Sequence, residues 1–227
     1  MKYIKIRNKE PKELAEYRDG TPGVTYSDLG KERKDIIRNS LLEEQGYICA
    51  YCMGRIDVNS CTIEHYISQT RHDESPYTEE EHKKQSLLYS NMYGVCENDG
   101  KHCDKSRGNT PLKILNPHQK NCEELVTYGL GGDIKSTGHE VEKVDKDILT
   151  LGLNCNTLLK ARKAVWRDVW NRFNQEHKKE EWTKELFLEY AEKYRTKERR
   201  RKGLMFHAYC NYIAWYFEYY ANNFRKL

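Results

Sequence analysis

The placement of cysteines constrains this chain more than any other feature. Eight are present, at positions 49, 52, 61, 96, 103, 122, 155 and 210, and four of them form two pairs between Cys49 and Cys103. Cys49-Ala50-Tyr51-Cys52 is a CxxC turn, whose two thiolates can grip one zinc ion. Cys96 and Cys103 offer a second pair, separated by ENDGKH. Four thiolates satisfy tetrahedral zinc, and His102 could replace one of them. A redox pair at Cys49 and Cys52, or four free thiols, are the competing readings. The remaining cysteines are scattered, as small buried hydrophobes usually are.

The surrounding pattern explains why a metal is useful. Residues 47–110 are rich in Cys, His, Tyr, Asn and Gly, with weak apolar periodicity. Such a segment builds little core from side chains alone, so a structural ion is physically reasonable. Outside it the signals are more ordinary. Tyr3-Ile4-Lys5-Ile6 alternates like a short edge strand. From Asp28 to about Gln45 the pattern is helical, with Gly46 as C-cap. Residues 73–86 are polar and read as an exposed insertion. Residues 124–136 read as a hairpin about Gly129, Gly131 and Gly132. From Asp147 onward the chain is mostly helical. Leu158, Val165 and Val169 form a stripe flanked by Trp166, Trp170 and Phe173. A last helix is predicted over about 204–224, its aromatics at spacings of three and four marking core. The expected organisation is α+β and mostly helical: a strand/helix segment (1–45), a metal-bearing core (46–120), and a hairpin plus helical region (121–227).

Charged residues make up 33% of the chain and the mean hydropathy is −0.96. No run approaches the roughly 20 apolar residues that span a bilayer. The charged N-terminus lacks the apolar stretch of a secretory signal. A cytoplasmic protein without a membrane partner is therefore expected. The net charge of +4 permits a nucleic-acid partner without demanding one. Residues 193–202 (KYRTKERRRK) concentrate seven basic side chains against one acid. They read as a solvated helix face or turn, with phosphate contact a secondary reading.

Chemistry-bearing residues fall between and just after the cysteine pairs. Glu64 and His65 are adjacent in Ile63-Glu64-His65. A histidine titrates near neutrality and can take a proton from water; a carboxylate can hold a hard divalent cation. On a straight strand the two would face opposite ways. Asn91 follows in LLYSN. Then comes Asp104-Lys105-Ser106-Arg107-Gly108-Asn109: an acid for metal, two bases suited to phosphate contact, and an amide.

In this order the elements resemble the HNH, or ββα-metal, nuclease motif over about residues 46–110. More narrowly, Glu43-Glu44-Gln45-Gly46-Tyr47-Ile48-Cys49-Ala50-Tyr51-Cys52, Ile63-Glu64-His65, His102-Cys103-Asp104 and Arg107-Gly108-Asn109 resemble the PtuB-type HNH proteins of Septu and retron anti-phage systems. Downstream, Leu151-Gly152-Leu153-Asn154 with Leu158, Leu159 and Arg162 is also similar to that group. The resemblance implies a ββα-metal core flanked by helical regions. It implies His65 as general base, Glu64 as ligand of a catalytic magnesium or manganese, and Asn91 as the residue that holds the loop and orients His65. It implies structural zinc on Cys49, Cys52, Cys96 and Cys103. The third motif position departs from the family's usual His or Asn; Asp104 is the expected second ligand there, with Asn109 in reserve. Lys105 and Arg107 are expected to touch nucleic acid. The implied activity is phosphodiester hydrolysis, DNA favoured and a structured RNA such as tRNA possible. The implied partners are a PtuA-type ABC ATPase and, in a retron, a reverse transcriptase with its msDNA. A zinc-stabilised module that binds nucleic acid or protein without cutting is the competing expectation.

Overall fold

The computed structural model describes residues 1–6, 10–73 and 75–224 and has an α+β architecture in which helices dominate. Residues 3–6 join no sheet, contrary to the strand their alternation predicts. The Ile4 N–H instead donates to the Pro117 carbonyl at 2.8 Å, tying the N-terminal segment to the last part of the metal-bearing core. Helix α1 (Lys12–Gly20) buries Leu14, and α2 (Lys31–Glu44) buries Ile37, Leu41 and Leu42. Gly46 ends this region at φ 59°, a left-handed conformation suited to glycine. Its neighbourhood also leaves no room for a side chain, because a Cβ there would sit 2.9 Å from Phe206.

Strand β1 (Cys61–His65) follows. Helix α3 (Glu79–Ser86) then corrects the expectation of a merely exposed insertion. Thr78 and Glu81 form a reciprocal capping box at its start, and His82 and Ser86 turn inward. Strand β2 (Met92–Cys96) pairs antiparallel with β1, placing Cys61 opposite Cys96 and His65 opposite Met92. A single-turn helix, α4 (Asp104–Arg107), comes directly after Cys103. Two antiparallel strands and a helix thus frame the cysteine pairs. Gln45 seals the sheet from the α2 side. Its side-chain amide exchanges hydrogen bonds with the Gly94 N–H and carbonyl, both 2.7 Å, acting as a stand-in for another strand.

The predicted hairpin is present as β3 (Val126–Tyr128) and β4 (Ile134–Ser136). Helices α5 (Val141–Thr150), α6 (Asn156–Glu176) and α7 (Lys184–Arg195) follow. The basic segment, expected as a helix face or turn, ends α7 at Arg195, adds β5 (Glu198–Arg200) and turns through Arg201-Lys202 into β6 (Gly203–Met205), making a second hairpin. The final helix α8 (Cys210–Asn222) consequently starts later than its aromatic periodicity predicts. Leu204 and Met205 belong to the strand, and Tyr209 sits at φ 56° just before the helix. Trp166 stacks on Tyr216 at 4.2 Å and Trp170 on Tyr220 at 4.5 Å, which locks α6 to α8. One continuous core runs from Met1 through Ile48–Met53 and Leu151 to Phe217. A smaller cluster of Leu14, Ile37, Leu41, Leu87 and Met92 lies beneath α1 and α2. Among the described residues, no helix is long and apolar enough to cross a membrane.

Candidate metal centre and reaction site

The four paired cysteines converge. Their Sγ atoms all lie within 4.8 Å of one another, with Cys49–Cys103 at 3.7 Å and Cys52–Cys96 at 3.8 Å. Tetrahedral zinc with Zn–S bonds of about 2.3 Å requires sulfurs about 3.8 Å apart, so the donor set fits that ion. The first turn closes on itself: the Cys49 N–H donates to Gly54 O, the Met53 N–H to Cys49 O, and the Gly54 N–H to Cys52 Sγ. Met53 and Cys103 both take positive φ (63° and 57°), a strained backbone that aims the thiols inward. Burial, and then the sulfurs of Cys49, Cys52 and Cys96, push the Cys103 thiol well above its usual range. A divalent cation reverses that balance, since it binds thiolates. His102 is a neighbour of the cluster, its Nδ1 3.2 Å from Cys103 Sγ and 3.6 Å from Cys96 Sγ.

The second pair is anchored from the C-terminal region. The Cys103 N–H donates to Leu151 O at 2.8 Å. Gly152, at φ 58°, lies so close that a Cβ would come within 2.5 Å of the Lys101 carbonyl. Asp147 of α5 collects the N–H groups of Lys113, Ile114 and Leu115 at 2.7–2.8 Å, fixing the loop beyond α4.

Glu64 and His65 end β1 and point to different sides, as strand alternation requires. Glu64 is buried against Arg107, with which it forms an ion pair, and it accepts a hydrogen bond from the Tyr51 hydroxyl. Burial pushes the Glu64 carboxyl up to about 8; Arg107 pulls it down and the neighbouring Asp104 pushes it up again. His65 is only 4% exposed, packed edge-on against Tyr26 at 4.4 Å. Its Nε2 lies 3.0 Å from Ser86 O and its Nδ1 3.2 Å from the Gln69 amide nitrogen. A carbonyl can only accept, so Nε2 carries the proton and Nδ1 is the basic nitrogen. Burial pulls its pKa down to about 4, which keeps the ring neutral.

Asn91 clamps the loop after β1. Its Oδ1 accepts from the Ile67 N–H at 2.8 Å, and its Nδ2 donates to Ile67 O and Gln85 O, both 3.0 Å. Its own carbonyl accepts from the Tyr66 N–H. Asp104, at the first position of α4, is half-buried and acts electrostatically on both Glu64 and His65. Two mutually repelling carboxylates suit a hydrated divalent cation, which needs only one or two such groups plus substrate phosphate. Glu64, His65 and Asp104 do not form a three-ligand cluster of the kind the cysteines do. Asn109 is exposed and reaches Thr70 Oγ1 at 3.3 Å.

Lys105 is exposed, but Arg107, expected at the surface beside it, is turned inward and only 3% exposed. Its guanidinium donates to Glu64, to the Tyr51 hydroxyl and to the carbonyls of His65, Tyr66 and Thr110. The side chain therefore organises the site from within. Tyr51, Gln69 and Ser86 join the site although they stand outside the residues its sequence motif marks as functional. Tyr51 carried a weak signal, being a polar aromatic inside the CxxC turn; the other two carried none.

No protein-family model matches the chain. An alignment 91 residues long, covering 38% of this chain, is 32% identical to the CRISPR-associated endonuclease Cas9 of Actinomyces naeslundii. The matched stretch amounts to 7% of that protein's length.

Proposed function

We propose that this chain is a metal-dependent HNH-type endonuclease. The observation that carries the reading is the β1–β2–α4 frame around four converging cysteines, with Glu64-His65 at the end of β1 and Asp104 opening α4. The local identity to a Cas9 endonuclease supports it, because Cas9-type effectors contain an HNH nuclease module.

In this reading His65 removes the proton of the attacking water through Nδ1. Ser86 fixes the tautomer and Asn91 fixes the backbone that follows the histidine. Gln69 now fills the position at Nδ1 where water would enter, so it moves or shares that contact when substrate binds. Glu64 and Asp104 would hold magnesium or manganese, which supplies stabilisation of charge on the phosphate and the leaving oxygen. Arg107 keeps Glu64 oriented and, with Lys105, sets a positive field beside it. DNA is the favoured substrate. The residue-level resemblance to PtuB-type proteins supports a further proposal, that the nuclease is an anti-phage effector acting with a PtuA-type ATPase, with a reverse transcriptase and msDNA present in a retron setting.

A second reading, a zinc-stabilised binding module without catalysis, draws on the Arg107–Glu64 pair, which occupies one carboxylate that a catalytic ion would need. One comparison separates them. The chain, purified alone and with the ATPase, is given DNA and RNA in magnesium or manganese beside His65→Ala. The nuclease reading expects the variant to lose roughly 100-fold or more of the cleavage rate, the usual contribution of a general base. Equal cleavage by both proteins would remove His65 from the mechanism, and binding without cleavage in every condition would favour the module.

A further inference from the structure

A cavity of about 320 Å³ opens beside the reaction site and has no role in the mechanism above. Tyr66 and Arg107 line it, and both belong to that site: Tyr66 follows His65 in the chain, and Arg107 pairs with Glu64. His72, Tyr77, Asn109 and Lys113 belong to the same lining. Aromatic rings and polar groups thus share one cavity, the combination that holds a heterocycle by stacking and reads it by hydrogen bonds.

The wall is built with care. His82 is fully buried, its Nδ1 2.6 Å from Ser68 O and its Nε2 2.7 Å from Ser75 Oγ. The Ser68 carbonyl can only accept, so Nδ1–H donates to it and Nε2 accepts from Ser75. Ser75 Oγ in turn accepts the Tyr77 N–H at 3.2 Å. Both ring nitrogens are thereby occupied, so His82 is a positioning residue and not a second base. Its ring meets those of Tyr77 at 6.0 Å and His72 at 6.1 Å, both edge-on, which sets the two faces that line the cavity.

Size limits the occupant. Small-molecule sites usually fall between about 300 and 1,000 Å³, so this cavity holds a single nucleotide at most. A duplex, whose major groove alone is about 12 Å wide, cannot enter. We propose that the cavity receives one unpaired or extruded nucleobase of the strand being cut, stacked on an aromatic ring of the lining, Tyr77 foremost, and read by the polar groups that share it. The proposal rests on the nuclease reading and deepens it: the enzyme would prefer sites where a base beside the scissile phosphate is already unpaired or easily flipped out.

The test uses single-stranded oligodeoxynucleotides carrying the fluorescent base 2-aminopurine at successive positions around the mapped cut. His65→Ala serves as the non-cutting protein. The expected result is a fluorescence change from stacking at one position next to the cut. Tyr77→Ala should lose that signal and raise KM about tenfold with little change in kcat, while Tyr77→Phe keeps both. His72→Ala, at a partly exposed position, repeats the measurement should Tyr77→Ala fail to fold. An abasic residue at the same position should raise KM similarly. Cleavage with no position-specific signal and no abasic effect would overturn the pocket while leaving the nuclease reading intact. A position-specific signal in a chain that cuts nothing would do the reverse.

Discussion

Arg107 is the side chain on which the reaction site turns. It is buried, and it spends its fork of donors on one carboxylate, one hydroxyl and three carbonyls drawn from β1, the CxxC turn and the loop beyond α4. Lysine keeps the charge but offers a compact head that cannot span those partners. Arg107→Lys should therefore cost about 2–3 kcal/mol, near the lower range for breaking a buried pair, and lower the melting temperature by roughly 5–10 °C for a chain of this size. Zinc content should stay at one equivalent, because the thiols are untouched. Thermal denaturation with metal analysis checks both; an unchanged melting temperature would show that the guanidinium network adds nothing to folding. The inward turn of Arg107 was not legible in the sequence. Lys105 and Arg107 sit two apart on a single helical turn and so face different ways, and which one faces in depends on Glu64, a partner distant in the chain. The cysteines were legible because a tetrahedral metal site demands a recognisable local spacing, and the structure brings the four thiols together. Gln69 and Ser86 act only through tertiary neighbours, which no local pattern announces.

At the scale of elements, the basic hairpin β5–β6 shows why charge composition alone misleads. Residues 193–202 lack the apolar alternation that marks a strand, so their charge pattern predicts a helix face or turn and not the strand at Glu198–Arg200. The ladder pairs Glu198 with Met205 and Arg199 with Leu204. The hairpin is mounted firmly: Lys197 Nζ donates to Glu44 O at 2.6 Å, and the Tyr47 hydroxyl donates to Lys202 O at 3.1 Å. Helix α3 is the opposite lesson, since Thr78 and Glu81 spell a capping box that was present in the sequence and outweighed by the polar composition around it. Arg199 and Arg201 are exposed. A two-stranded ribbon of this kind fits a nucleic-acid groove or backbone. Replacing both with serine should weaken nucleic-acid binding and reduce the slope of log affinity against log salt by about 1.8, two phosphate contacts' worth. The turnover number at saturation should not change. Fluorescence anisotropy across a salt series measures the slope, and an unaltered slope would take the hairpin out of the interface.

On the scale of the whole molecule, the question is whether a metal held by the four cysteines would stabilise its own loops or the entire chain. The contacts favour the second answer. Backbone hydrogen bonds join Cys103 to Leu151 and Tyr209 to Met53, so each cysteine pair is tied to the C-terminal helical region. The residues of the CxxC turn belong to the same continuous core as Phe173 and Phe217. Zinc binding to thiolate sites is worth about 10–16 kcal/mol in small peptides, comparable with or larger than the total stability of a typical domain at about 5–15 kcal/mol. Stripping the metal should therefore unfold the chain cooperatively rather than loosen one turn. The four tryptophans offer a clean readout, because Trp166, Trp170, Trp182 and Trp215 all lie well beyond the last of the four clustered cysteines in the chain. Chelation under reducing conditions, or Cys52→Ser, should shift their emission toward that of the denatured protein, with one zinc released per chain. Readdition of zinc should restore the emission for the wild type only. If the cysteines lost their metal and the tryptophan emission stayed native, the C-terminal region would be shown to fold independently of the centre, and the coupling through Leu151 and Tyr209 would carry no thermodynamic weight.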